Sequence, residues 1–253
     1  MVVLIEEVLT SLRSRHINGF FSENAEDAKQ KVMSLISQDA VVGIGDSTTM
    51  RQLGIPQALK EKGIRVLDPF EINKPGKEAE DGLQRVRRTL NETITSDIFL
   101  TGTNAITQDG KLVNLDAVGN RVSGMVWGHP LSIVVVGRNK IVKNLDEAFY
   151  RIRNVIAPSH VRIRLVELGG KNHKTPCAMT GECSDCRAIE RICNIFSVIE
   201  GKPFFTDLNV ILVNQDFGLG WDPLWPKRRI EQILENYRKF VWIPPGHQTS
   251  DIE

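Results

Sequence analysis

The chain has 253 residues, 41% hydrophobic and 25% charged. That is the balance of a soluble globular protein, long enough for one large domain or two small ones. Lys and Arg total 32 against 31 Asp and Glu, a formal net charge of +1, so no basic field is available for a polyanion and nucleic-acid binding is disfavoured. No apolar run approaches the roughly 18 residues of a membrane span, so no membrane partner is expected.

The first segment, "MVVLIEEVLTSLRSR", puts Val3, Ile5, Val8, Leu9 and Leu12 mostly on one helical face. Glu6 and Glu7 interrupt its apolar run, and no basic leader or small-residue cleavage site is present. It does not read as a signal peptide. The expected compartment is therefore the cytoplasm, where disulfides rarely persist.

Next, residues 24–36 predict a helix capped by Asn24, and 40–45 a short buried strand. Residues 46–63 have a hydroxyl-rich start and a closing glycine, as a helix would, although Pro56 must kink or divide it. Strand 64–68, helix 77–94 and strand 96–102 follow. This alternation predicts an α/β fold with a mainly parallel sheet. Asp109-Gly110 between two apolar strips predicts a hairpin over 105–116.

Segments 119–128 and 131–142 read as further strands, and 145–158 as a helix ended by Pro158. Strands are expected at 195–200 and 208–214, and a closing helix over 223–242. The basic "PKRR" at 226–229 opens that helix and reads as a solvated face. With no repeat or linker, the expectation is one α/β domain over 1–253, carrying a cysteine-rich loop at 175–194 and a helical extension at 223–253.

Two stretches could form a ligand cleft. In "VVGIGDSTTM", Gly43 and Gly45 would let the backbone approach an anion, with Ser47, Thr48 and Thr49 as hydroxyl donors at a helix start. Asp46 would repel a phosphate and reads instead as the helix cap. The simpler reading is a tight turn with an ordinary cap. In "TGTNAITQDGKLVNLDAVGNRV", polar residues crowd beyond what a hairpin needs: Asn104, Asp109, Asn114, Asp116, Asn120 and Arg121. They follow a predicted strand end, where open α/β sheets place their clefts. Arg121 is the candidate carboxylate clamp, and Asp109 or Asp116 the candidate general base. The alternative is that these groups cap turns and satisfy one another. His129 reads as a turn residue and His173 as a possible extra metal ligand. His16, His160 and His247 have no partner visible in the sequence.

All four cysteines fall within one short stretch, Cys177, Cys183, Cys186 and Cys193, spaced C-x5-C-x2-C-x6-C. Disulfides, a redox thiol pair, or a metal or cluster compete. Four thiolates are a full set for zinc or a cubane iron–sulfur cluster, and a redox pair alone would leave Cys177 and Cys193 unexplained. Neither standard spacing fits, so the residues leave the metal undecided. Arg187 and Arg191 could offset the charge of such a centre.

"FLTGTNAITQDGKLVNLDAVGNRVSGMVWGHPLSIVVVGRNKIV", with "RIRNVIAP", "TPCAMTGECSDCRAIERICN" and "VILVNQDFGLGWD", resembles the lactate-utilisation (LUD) domain family, over roughly residues 5 to 222. It is similar to the stand-alone branch that carries a cysteine segment. The resemblance implies a Rossmann-like fold of the sugar-phosphate isomerase and CoA-transferase superfamily. It also implies a cleft holding a small carboxylate or phosphate, lined by Gly43, Gly45, Ser47, Thr48, Asn104, Asp109, Gly110, Asn114, Asp116, Asn120 and Arg121. No residue matches the catalytic glutamate of the CoA transferases or the full acid–base set of the isomerases. The family's association with L-lactate oxidation favours a 4Fe-4S cluster on the cysteines over zinc, and an iron–sulfur oxidoreductase as partner. Two other functions stay in view. One is a sugar-phosphate or acyl-CoA enzyme with structural zinc. The other is a non-enzymatic accessory subunit docking through its C-terminal helix.

Overall fold

A computed structural model describes residues 2–71, 79–168 and 175–243. The chain begins with α1 (Val2–Ser14), β1 (Asn18–Ser22), α2 (Ala25–Ser34) and β2 (Val41–Ile44). Two short helices, α3 (Thr48–Gln52) and α4 (Ile55–Glu61), lead to β3 (Arg65–Leu67), α5 (Ala79–Thr93) and β4 (Ile98–Thr101). The hairpin β5 (Ala105–Thr107) and β6 (Leu112–Asp116) precedes α6 (Asn120–Val126), β7 (Leu131–Gly137) and β8 (Ile141–Val142). A long helical stretch holds α7 (Leu145–Arg151) and α8 (Ala157–Val161), each followed by a π-helical turn, Ile152–Ile156 and Arg162–Glu167. The described chain closes with α9 (Pro176–Thr180), β9 (Ile195–Ile199), β10 (Asp207–Val213) and α10 (Lys227–Arg238).

Six strands form one sheet in the order β1-β10-β7-β4-β2-β3, and every pairing is parallel. This is the expected α/β fold. The central β7 and β10 are buried on both faces, which explains their continuous apolar runs, "IVVV" and "VILV". Ile133, Val135, Ile211 and Val213 pack on one face with α2, α3 and α4. Val134, Val136, Val210 and Leu212 pack on the other with α1. A second sheet, β8-β5-β6-β9, contains the expected antiparallel hairpin β5–β6. It packs with α7 and α10 in a third apolar cluster, in which Ile233 and Tyr237 of α10 are buried. The apolar face of the C-terminal helix is thus spent on its own core.

Several expected elements differ. Residues 119–128 are not a strand. Gly119 turns the chain at φ +81, and the Val122 amide donates to Asp116 Oδ2 at 3.0 Å, which caps α6. The 46–63 segment divides at Gly54, whose φ is +64, and Pro56 sits in the first turn of α4, where a missing N–H costs no bond. Pro158 does not end its helix. It lies in the first turn of α8, after the π-helical turn that carries the chain past it. Strand β1 was not expected from the sequence; its partner, β10, lies 191 residues further along the chain. The start of the 77–94 helix and the end of the C-terminal extension lie outside the described residues.

Gly124 shows why α6 lies where it does. A Cβ there would meet the buried ring of Phe99 at 2.3 Å. Alanine is the better helix former, but the ring beneath has no room to give. Gly124→Ala should therefore destabilise the protein by about 1–3 kcal/mol, read as a lower denaturation midpoint with an unchanged denaturant slope.

Candidate functional site

A cavity of about 370 Å³ opens beyond the carboxyl ends of the parallel strands, where ligands bind in open α/β sheets. Its polar floor comes from the segments that follow three strands: Asp46 to Thr49 after β2, Gly102 to Asn104 after β4, and Lys140 beyond β7. The turn from β6 into α6 adds Asp116, Asn120 and Arg121. His160 and Arg164 reach it from the long helical stretch, and Tyr237 from α10.

The charges are organised around Asp46. Its carboxylate accepts both terminal nitrogens of Arg51, whose Nε donates to the Phe240 carbonyl at 3.0 Å. Burial pushes the Asp46 carboxyl up, but the positive field of Arg51 and Arg164 outweighs it and holds the group below the usual carboxylate range. Arg121 donates to Asn104 Oδ1 at 2.5 Å and to the Asp46 carbonyl at 3.3 Å, and it stands 3.7 Å from Asp116. The Nε atoms of Arg121 and Arg164 are buried without a hydrogen-bond partner.

Lys140 donates to the Thr103 carbonyl at 2.8 Å and to Thr49 Oγ1 at 3.3 Å. Burial, then the charge of Arg121, pushes its ammonium down to about 7. Gly218 lies beside it at φ +65, a left-handed backbone that favours glycine, and a Cβ there would press on Lys140 Nζ at 2.8 Å.

His160 and Tyr237 are linked at 2.5 Å. Arg164 lies 3.4 Å from the other ring nitrogen, Nε2. Arginine can only donate, so Nε2 accepts and Nδ1 carries the proton toward the Tyr237 oxygen. Burial drives His160 down to about 3 and Tyr237 up to about 12, so both are neutral around pH 7.

The sequence-derived candidates divide. Ser47, Thr48, Thr49, Asn104, Asp116, Asn120 and Arg121 line the cavity. Asp109 and Gly110 do not. They form the hairpin turn against α1, where Asp109 pairs with Arg15 at 2.9 Å and with Lys111 at 3.2 Å. A Cβ on Gly110 would strike the α1 backbone at 2.9 Å. Gly43 and Gly45 also lie off the cavity. Their absent side chains make room for Ser96 and Phe99 in the interior, not for an anion. Asn114 is fully buried below the site, accepting from Thr103 Oγ1 at 2.9 Å. Ser47, not Asp46, caps α3, and that helix has only five residues. Positive charge here comes from side chains and not from a helix end. His129 is buried between the Thr93 and Trp127 carbonyls. Sequence reasoning missed Lys140, His160, Arg164 and Tyr237, which carry no local motif.

The cysteine segment borders the cavity through Cys193. Asn194 anchors it, its amide donating to the Asp116 carbonyl at 3.1 Å. Arg191 is occupied in holding the loop, donating to the carbonyls of Cys186 and Cys193. All four thiols are free and half-buried. Burial, then Cys186 and Cys183, pushes Cys177 up, and burial with the other three thiols pushes Cys193 up to about 11. By number and softness the donors suit a four-thiolate centre. Among the described residues, however, no three Cys, His, Asp or Glu side chains are gathered so as to hold a metal ion. His173 lies outside the described residues.

A parallel α/β sheet with its cavity at the strand ends is the class of structure in hand. The profile of the LUD domain matches residues 5–213. The chain belongs to the LUD domain family, which supports a role related to lactate utilisation. Among solved structures it is similar to a DUF162 family protein from Deinococcus radiodurans, with 14% identity, TM-score 0.47, and coverage of 84% of this chain and 98% of that one. It is also similar to a D-ribose-5-phosphate isomerase in complex with phospho-erythronic acid, with 15% identity, TM-score 0.31, and coverage of 48% and 54%. The ribose 5-phosphate isomerase of Plasmodium falciparum matches with 16% identity, TM-score 0.28, and coverage of 47% and 52%. No curated protein matches.

Lys140 provides a test of the site's electrostatics. Its folded pKa lies well below its unfolded value of 10.5. The unfolded chain therefore binds more protons between about 7 and 10.5, and the lysine costs stability most at low pH, less as pH rises through that window. Lys140→Met should stabilise the protein at pH 7 by on the order of a few kcal/mol, and the gain should shrink toward pH 10. Thermal melts of both proteins across that range check it.

Proposed function

We propose that this LUD-family protein binds a small organic anion in the strand-end cavity, lactate or a related carboxylate, with a phosphate as the other chemistry the site could take. The observation that carries this reading is the pair of buried, unpartnered guanidinium nitrogens on Arg121 and Arg164, both at one cavity. A buried donor without an acceptor costs free energy, and a carboxylate supplies that acceptor with opposite charge. Arg121 is the clamp, held in position by Asn104 and the Asp46 carbonyl. If the protein turns its ligand over, Lys140 is the base: its amine titrates at about 7 and touches the same floor. Asp116 is committed to capping α6, and Asp109 is away from the cavity.

A centre on Cys177, Cys183, Cys186 and Cys193 belongs to the same proposal, with a 4Fe-4S cluster favoured and zinc the alternative. What supports it is the donor chemistry, four soft thiol ligands within one short segment. A cluster there would supply one-electron transfer. An iron–sulfur oxidoreductase would be the matching partner, and the cytoplasm the matching compartment.

Calorimetric titration with L-lactate, and separately with inorganic phosphate, tests the site. Arg121→Ala should raise the dissociation constant of the anion that binds by about tenfold or more, with the fold checked by circular dichroism. An unchanged constant would remove the clamp. For the cysteines, protein purified without oxygen should carry about four irons and four sulfides per chain and a broad visible band. Stoichiometric zinc without sulfide would make the loop a structural staple.

A further inference from the structure

The cavity is larger than lactate needs. Taking a water's share of ~30 Å³ as a ceiling for each heavy atom, the six heavy atoms of lactate fill at most roughly half of the 370 Å³. Much of the cavity wall is apolar. Phe70, Val86 and Trp242, with Leu90 packed against them, form a small apolar cluster separate from the three main cores, and all four line the cavity. Val86 and Leu90 lie four residues apart on α5, and Leu83 precedes Val86 by three, so all three fall on one helical face. Leu83 also lines the cavity and is 54% exposed, so the apolar strip runs from the interior to the mouth.

Trp242 is where this strip meets the charges. Its ring packs edge-on to Phe70 with centroids 5.1 Å apart. The Arg164 guanidinium lies over the same ring, 4.6 Å from its centroid. The unpartnered Nε of Arg164 therefore sits directly beside the apolar wall.

We propose that the natural ligand is an amphiphilic organic acid, with its carboxylate on Arg121 and Arg164 and a medium-length acyl chain along Leu90, Val86 and Leu83. This rests on the anion reading above and narrows it. A short hydroxy acid fills the charged end and leaves the strip wet. A longer chain covers the strip, and each buried methylene tightens binding by about fourfold.

The test compares L-lactate, 2-hydroxyoctanoate and 1-octanol by calorimetry on the full-length protein. The first two share a head group, and the last two an eight-carbon chain. The expected result is that 2-hydroxyoctanoate binds at least about thirtyfold tighter than lactate, and that octanol binds more weakly than the acid. Leu83→Asp, at the partly exposed mouth, should narrow the ratio between the two acids. Equal constants for the two acids would overturn the chain-binding inference and leave the anion reading standing. Octanol binding as tightly as the acid would overturn the amphiphilic assignment. If neither acid binds, this inference and the carboxylate reading both fall, and the separate titration with inorganic phosphate decides whether the site takes an anion at all.

Discussion

The site depends on one buried ionic arrangement, the Asp46 carboxylate and the arginines around it. A carboxylate taken out of water is tolerated only where opposite charge and hydrogen bonds replace its hydration. Arg51 supplies both and also ties α3 to the chain beyond α10 through the Phe240 carbonyl. Arg121 reaches the Asp46 backbone from α6. The field of Arg164, from the long helical stretch, bears on the same carboxylate. Four separate parts of the chain are therefore drawn to one point. Asp46 and Asp116 stand among Arg51, Arg121 and Arg164, and the two guanidinium Nε atoms left without a partner are what suits the cavity to an anion.

Around that point the site separates into layers of different character. The floor is polar and comes from the strand ends, with Lys140 buried against Thr49 and Thr103. One side is the neutral pair His160 and Tyr237, oriented by Arg164. Another is the apolar strip of α5 with Trp242. The cysteine segment closes a further edge through Cys193, fixed where β9 pairs with β6 beside Asp116. The neighbourhood of thiols and cavity is a matter of strand pairing: Ile195 faces Asp116 in register, and Cys193 lies just before it.

Reading the sequence as elements worked where the pattern is local. Alternating apolar runs marked the central strands, and Asp109-Gly110 marked the hairpin. It failed at α6, where the segment around Val122, Met125 and Val126 reads as a strand by composition. What makes it a helix is a cap from Asp116 and a glycine that lets it settle on Phe99. The glycines of the β2 turn show the same limit. Their presence was legible, but whether they admit an anion or a Phe99 ring depends on residues more than fifty positions away.

By itself, the sequence determined the α/β alternation, the family, the hydroxyl and Arg121 side of the cavity, and the gathering of all four cysteines in one segment. Hydrophobic period, turn chemistry and motif are local properties, and each can be read from neighbours along the chain. Only the tertiary structure decided that Asp109 belongs to an outer turn and that Lys140, His160, Arg164 and Tyr237 belong to the site. A lone lysine or histidine has no signature in sequence. Its protonation and its role are set by the burial and the charges that folding places around it.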